Sequence, residues 1–90
     1  MINIMQIILR PSFKKGYKKL SKRLQEKADQ KLTIFVGEPF AKILNNHELH
    51  DEYAGCRSVN VTGDCRAIYY MKGSVAVFIR IGTHSELFGR

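Results

Sequence analysis

The chain has 90 residues, of which 44% are hydrophobic and 26% charged, and its formal net charge is +7. This length fits one domain with a modest core and little room for a large internal cofactor pocket. The composition excludes a disordered chain, and no apolar run approaches the ~20 residues of a membrane span. The first residues lack the basic segment of a signal peptide. We therefore expect one cytoplasmic domain, residues 1–90, with a polyanionic or acidic partner.

A strand and a helical stripe are predicted first. Residues 5–10 are rich in Ile and Leu and are followed by Pro11, which is typical of a short strand. From Phe13 to Phe35, apolar residues then recur in steps of three and four, with lysines between them. This is the period of an amphipathic helix.

The helical stripe is too long to be one straight helix. A helix over residues 13–36 would measure ~36 Å, whereas a domain of this size has a radius of gyration of ~12 Å. Ser21 is the best internal break, because its side chain can cap a second helix. We predict a hairpin of helices near 12–20 and 22–36, with Ser12 capping the first.

After residue 55 the apolar period changes to two. Strands are predicted at residues 57–61, 65–71 and 75–82, and the glycine-containing turns between them indicate an antiparallel meander. Residues 40–55 are predicted as a loop, and residues 83–90 as a short tail with a helical turn. In the last strand the predicted core face consists of Val75, Val77, Ile79 and Ile81. The order β-α-α-β-β-β predicts an α+β fold in which a helical hairpin packs on a four-stranded antiparallel sheet.

The surplus of positive charge lies in residues 10–31, which include most of the predicted helices. Residues 10–31 hold nine Lys and Arg but only two acids, whereas residues 47–90 hold five of each sign. Such a cluster is typical of a surface that binds a polyanion, although the exposed face of an amphipathic hairpin gives the same pattern. The predicted docking residues are Lys14, Lys15, Lys18, Lys19, Lys22 and Arg23.

The neutral half carries the groups that suit acid–base chemistry. His84 follows the last strand, Asp64 lies in the turn between the preceding strands, Arg66 follows it by two residues, and His47 lies in the loop before them. Two imidazoles, a carboxylate and a guanidinium suit the metal-free cleavage of a phosphodiester. The alternative is structural, because aspartate is common in turns and histidine is common on surfaces.

A zinc site and a disulfide are both disfavoured. His47, His50, Cys56 and Cys65 are potential zinc ligands, but the two cysteines are not spaced as in a zinc knuckle. The tight turn at residues 62–63 places Cys65 opposite residue 60 or 61 rather than Cys56, so no disulfide is expected.

Four segments of the second half resemble a known family. They read HEL from residue 47, AGCRS from 54, VTGDCRAIYY from 61 and IGTHSELFG from 81. Together they resemble the RelE/ParE superfamily of bacterial type II toxins, and within it the YafQ-like mRNA interferases. The Gly-Thr-His-x-x-Leu-Phe motif at the end is the most specific. The first half matches more loosely, and the resemblance covers nearly the whole chain.

The resemblance implies a ribosome-dependent endoribonuclease that needs no metal or other cofactor and is held by a cognate antitoxin. In such enzymes the 2′-hydroxyl of the mRNA attacks the adjacent phosphate. His84 matches the proton donor to the leaving oxygen, and Asp64 or His47 matches the base. Arg66 matches an arginine that steadies the phosphate, Phe88 matches an aromatic residue near the substrate bases, and Arg57 lies within a matched motif and is assigned to substrate binding. The basic helices would face ribosomal RNA.

Asn60 is the main departure from the family pattern, because it stands where YafQ-like toxins carry a further histidine. Asparagine can form hydrogen bonds but cannot transfer protons at neutral pH. A hairpin with an odd-numbered loop places Asn60 near Arg66, which predicts a substrate contact. Two other functions stay open: a ParE-like inhibitor of DNA gyrase, for which the His/Asp set has no role, and a non-toxic basic binding module.

Overall fold

The computed structural model describes residues 4–89. Its helices and strands are β1 Gln6–Leu9, α1 Pro11–Lys19, α2 Lys22–Gly37, β2 His47–Glu48, β3 Arg57–Asn60, β4 Cys65–Lys72, β5 Val75–Thr83 and α3 His84–Phe88. Single 3-10 turns at Lys42–Leu44 and Asp51–Tyr53 lie in the segment between α2 and β3. Within residues 4–89, no helix is both long enough and apolar enough to cross a membrane.

The predicted helical hairpin is present, and Ser21 divides it. The backbone N–H of Leu24 donates to Ser21 Oγ at 3.2 Å, which confirms the cap of α2. The predicted cap of α1 is wrong, because that helix already begins at Pro11, whose fixed φ suits the first helical position. Ser12 lies inside the first turn, and its hydroxyl donates to the carbonyl of Ile79 in β5.

The α+β fold class is confirmed, but the sheet has five strands where four were predicted. Their order is β1-β5-β4-β3-β2, and β1 runs parallel to β5 while the other pairs are antiparallel. The parallel pair arises because the helical hairpin provides the long crossover that parallel neighbours need. β2 has only two residues, too few to give a periodic signal in the sequence.

Both long helices pack on one face of the sheet. The aromatic centre of the core has Tyr69 against Phe35 and Phe78, with ring centroids 4.9 and 5.1 Å apart, and Phe13 of α1 against Phe78 at 5.8 Å. The buried core cluster consists of Phe13, Ala28, Phe35, Leu44, Val59, Val61, Cys65, Ala67, Tyr69, Ala76, Phe78 and Ile81. The core therefore lies on the face of the sheet that the helices cover, and the residues that alternate with the core residues lie on the opposite face.

A β-bulge in β5 changes which of its residues face the core. Tyr69 pairs with Phe78 and Ile68 pairs with Arg80, so that Ile79 is an extra residue on β5. The residues of β5 in the core cluster are Ala76, Phe78 and Ile81. The prediction is therefore wrong for Val75 and Ile79, which are only partly buried, whereas Val77 is buried as expected, at 3% exposed, although it lies outside this core cluster.

Candidate active site

The side chains of β4 alternate between the core and the candidate site on the opposite face of the sheet. Ala67 and Tyr69 belong to the core cluster, so Arg66, which alternates with them, lies on the opposite face of the sheet. We call this opposite face the site face. Asn60 pairs directly with Arg66 across β3 and β4, which confirms the predicted register.

Two rows of paired residues cross the site face. The first row runs Asn60, Arg66, Gly82, and the second runs His47, Ser58, Ile68, Arg80. His47 pairs with Ser58, two residues before Asn60, so it is a diagonal neighbour of Asn60 at about 7–8 Å between Cα atoms. The segment predicted as a loop thus contributes an edge strand that brings His47 onto the site face.

Asp64 and His84 meet at the rim of this face. The backbone N–H of His84 donates to the carbonyl of Asp64 at 3.0 Å, and the residues next to them, Cys65 and Thr83, are paired across β4 and β5. Both Asp64 and His84 are exposed. Strand pairing therefore brings together five of the predicted site residues: His47, Asn60, Asp64, Arg66 and His84.

A capping box fixes the short helix that begins at His84. The N–H of Glu86 donates to Thr83 Oγ1 at 3.2 Å, and the N–H of Thr83 donates to Glu86 Oε1 at 2.7 Å. Hydrogen bonding to the carboxylate by Thr83, from its backbone N–H first and its side chain second, holds the pKa of the Glu86 carboxyl below its usual value. Because α3 has only five residues, its capped N-terminus determines where His84 lies.

Aromatic rings support His84 from the other end of α3. The ring centroid of Phe88 lies 4.8 Å from that of His84 and 5.6 Å from that of Tyr53. The Tyr53 hydroxyl donates to the carbonyl of Leu87 and accepts from Arg80 Nη1, both at 3.2 Å. Tyr53 and Arg80 were not among the predicted site residues. The segment of Tyr53 has no periodicity, and the one signal for Arg80 is its charge within an apolar strand.

The hydrogen bond of His47 determines its tautomer. Nδ1 lies 2.8 Å from the carbonyl oxygen of Asn45. A carbonyl oxygen only accepts, so Nδ1 must carry the proton, and in the neutral ring Nε2 is then the unprotonated nitrogen. His47 is therefore arranged to accept a proton through Nε2.

Three polar side-chain atoms on the site face are buried and have no hydrogen-bond partner among residues 4–89: Ser58 Oγ, Asn60 Oδ1 and Arg66 Nε. Leaving such a group unsatisfied costs about 1–3 kcal/mol, so these atoms favour a polar ligand that can pair with them. Arg66 is oriented by one further bond, from Nη2 to the carbonyl of Gly63 at 3.3 Å.

Arg57 is the predicted site residue that the structure separates from the others. It pairs with Tyr69 of the core, so its side chain lies on the helix side of the sheet. There Nε donates to Asn46 Oδ1 at 2.7 Å, Nη1 lies 3.7 Å from Glu48 Oε1, and the guanidinium lies 5.3 Å from the ring centroid of Phe40. These contacts occupy the guanidinium away from the site face.

The predicted docking residues are all exposed: Lys14, Lys15, Lys18, Lys19, Lys22 and Arg23. On α1 they point in two directions. Lys15 and Lys19 line a groove of about 650 Å³ that reaches Thr83 and Glu86 beside the candidate site. Lys14 and Lys18 flank a mostly apolar hollow on the other side of the helix.

The potential metal ligands of the sequence do not come together. Cys56 and Cys65 are free thiols, and Cys65 lies in the core, where burial raises its pKa to about 11. Among residues 4–89, no three His, Cys, Asp or Glu side chains are grouped in a way that would hold a metal ion.

Comparison with known proteins identifies the family. The sequence model of the YafQ family, described as a bacterial toxin of type II toxin–antitoxin systems, matches residues 5–89. The chain belongs to the YafQ family of type II toxins. A comparison with curated proteins found no match.

Solved structures of YafQ share this fold over nearly their full length. YafQ from Escherichia coli is 27% identical, with a TM-score of 0.81, 94% of this chain and 99% of that chain covered. YafQ in the DinJ–YafQ complex from Escherichia coli is also 27% identical, with a TM-score of 0.78 and the same coverage. A chain of the toxin–antitoxin complex RelBE2 from Mycobacterium tuberculosis is 16% identical, with 90% of this chain and 99% of that chain covered, and its TM-score of 0.66 shows the fold alone.

Proposed function

We propose that this YafQ-family toxin is a ribosome-dependent endoribonuclease that cleaves translated mRNA in the cytoplasm by metal-independent acid–base chemistry. The observation that carries the proposal is the grouping of His47, Asn60, Arg66 and His84 on one face and rim of the sheet. A groove lined by Lys15 and Lys19 of α1 lies beside them and is the proposed surface for a polyanion. A toxin that acted only by binding would give no reason for this set.

The spacing of the strands suggests how the substrate lies. Neighbouring strands are about 4.8 Å apart, so the backbones of β2 and β5 are separated by about 14 Å. A phosphodiester placed over β3 and β4 would have His47 on one side and His84 on the other. Arg66 and Asn60 would then lie beneath it, where the partly exposed Arg66 guanidinium can donate to a phosphate oxygen.

Cleavage then needs one proton acceptor and one proton donor. His47 Nε2 removes the proton of the ribose 2′-hydroxyl, whose oxygen attacks phosphorus while the bond from phosphorus to the 5′-oxygen breaks. His84 gives a proton to that leaving oxygen, so the products are a 2′,3′-cyclic phosphate and a 5′-hydroxyl. Arg66 stabilises the charge that develops on the phosphate oxygens. Asp64, next to His84, is the alternative base.

Other residues bind rather than react. The exposed part of the Phe88 ring offers a surface on which a nucleobase can stack, and Asn60 Oδ1 can accept a hydrogen bond from the substrate. The six basic residues on α1 and α2 would dock on ribosomal RNA through its phosphates. A cognate antitoxin is the proposed protein partner, because the related YafQ forms a complex with DinJ.

Brief expression followed by mapping of RNA ends tests the proposal. We expect growth arrest and cleavage of translated messages at codons, and we expect His84→Ala to abolish both. His50→Ala is the matched control, because His50 is also an exposed histidine but has no assigned role. Intact message in arrested cells would contradict the proposal, and DNA-damage signalling with intact message would favour gyrase as the target.

A further inference from the structure

The side chain directly before His47 is held on three sides. Asn46 Nδ2 donates to the Tyr69 hydroxyl at 2.7 Å and to the carbonyl of Pro39 at 2.9 Å. Asn46 Oδ1 accepts from Arg57 Nε at 2.7 Å. Both N–H groups and the oxygen of the amide are therefore used, which is the arrangement of an anchor rather than of a solvated surface residue.

This anchor is attached to the rigid part of the molecule. Tyr69 is 1% exposed, and its ring packs against both Phe35 and Phe78. On the other side of the amide, Arg57 is itself fixed by the Phe40 ring and by Glu48. Asn46 thus connects the segment before β2 to the aromatic core on the helix side of the sheet.

The backbone directly before the anchor is the part that determines the tautomer of His47. Asn45 adopts a left-handed conformation with φ 44 and ψ 49, and its N–H donates to the carbonyl of Lys42 at 3.1 Å. Its own carbonyl then faces His47 Nδ1. Because β2 has only two residues, strand pairing alone gives this segment little support.

We propose that Asn46 is a positioning residue for this site. By fixing the segment before β2, it holds the carbonyl of Asn45 against His47 Nδ1 and so keeps Nε2 free to accept a proton. The proposal rests on the proposed function, in which His47 is the base. It also gives Arg57 a role, since Arg57 supports Asn46 from the helix side of the sheet instead of contacting the substrate.

The first test measures the tautomer and does not depend on catalysis. In the purified protein, ¹⁵N shifts of the His47 ring should show a protonated Nδ1 in the wild type. Asn46→Ala should move part of the protonation of the neutral ring to Nε2. Tyr69→Phe, which keeps the core ring but removes one hydrogen bond, should act in the same direction. An unchanged Nδ1-protonated form in Asn46→Ala would overturn the proposal.

Gln25→Ala is the matched control for this measurement. Gln25 also donates from a side-chain amide to a carbonyl, that of Tyr17 at 2.9 Å, but it lies in the helical hairpin. Its loss should leave the His47 ring shifts unchanged. A shift of the same size in this variant would also overturn the proposal, because it would show that any local destabilisation changes the tautomer.

The second test is a double-mutant cycle in a ribosome-dependent cleavage assay. Loss of the hydrogen-bond partner that orients a metal-ligating histidine costs about 10–100-fold in activity, and we expect Asn46→Ala to lower the cleavage rate on the same scale. In a His47→Gln background the same change should cost nothing further, because Asn46 acts through His47. Independent losses would overturn the positioning role. Absent cleavage in the wild type would instead overturn the proposed function, while the tautomer measurement still tests Asn46.

Discussion

Replacing Gly16 by alanine should have two opposing effects on stability: a steric cost at the contact between α1 and β5, and a gain in helix propensity. A Cβ at Gly16 would lie 2.5 Å from the carbonyl oxygen of Ile81 and 3.3 Å from its Cγ2 atom. An ordinary contact begins near 3.4 Å, so α1 would have to retreat by roughly 0.9 Å. The obstacle is a backbone carbonyl, which a rotamer change cannot remove.

The steric cost should exceed the gain in helix propensity. Alanine favours a helix interior over glycine by about 1 kcal/mol. Overpacking a close contact costs about 1–3 kcal/mol, and a backbone obstacle excludes the low end of that range. We therefore expect Gly16→Ala to lower the free energy of unfolding by about 1 kcal/mol, and by at most about 2 kcal/mol.

Urea denaturation of the purified toxin measures this difference, and Gly37→Ala is its control. Gly37 ends α2, and a Cβ there would meet nothing within 4 Å, so this variant should be as stable as the wild type or more stable. A loss of 1 kcal/mol corresponds to a fall in Tm of about 4–8 °C for a domain of this size. If both variants gained stability alike, the inferred close packing of α1 on β5 would be refuted.

Further predictions concern α3 and the two thiols. Thr83→Ala removes the helix cap and should cost about 1 kcal/mol in urea denaturation while lowering cleavage; unchanged stability would contradict this. Folding lowers the pKa of Glu86 below its ordinary value of 4.5, so the ionised carboxylate stabilises the fold fully above pH 4.5, and this stabilisation is lost as the pH falls through the lower pKa of the folded state. The free energies of unfolding of the wild type and Glu86→Gln should therefore differ at pH 7 and converge in acid. At pH 8 a thiol reagent should modify Cys56 before Cys65, which is 2% exposed with a pKa of about 11; equal rates would contradict its burial.

Local signals in the sequence were sufficient for much of the fold. Ser21 interrupts a helical stripe with a residue that caps helices, and the glycine-containing turns determine which strands of the meander pair. The pairing of Asn60 with Arg66 was predicted from the hairpin on the assumption of an odd-numbered loop, which the structure contains. Each of these features depends on residues close together in the chain, where propensity and turn geometry act directly.

Features that depend on distant residues were not predictable in the same way. No residue near Ile79 in the sequence indicates a bulge, because the bulge depends on how β5 pairs with β4. Arg57 belongs to a motif that includes site residues, but it is three positions from Asn60, so the alternation of a strand places the two on opposite faces. The anchor at Asn46 joins three segments that are remote in sequence, and no spacing rule finds it.

The alternation of the two faces, with its change of phase at the bulge, has a consequence for mutational tolerance. In a saturation scan that scores protein abundance and toxicity separately, β4 should show a two-residue rhythm that is interrupted at Ile68, which lies on the site face but is fully buried. Substitutions at Ala67 and Tyr69 should deplete the protein itself, whereas those at Arg66 should leave abundance intact and abolish killing. The rhythm in β5 should slip by one residue after Ile79. A single-residue deletion within β4 should move the following side chains to the opposite face, so that core and site residues exchange places. Such deletions should be the least tolerated changes in the sheet.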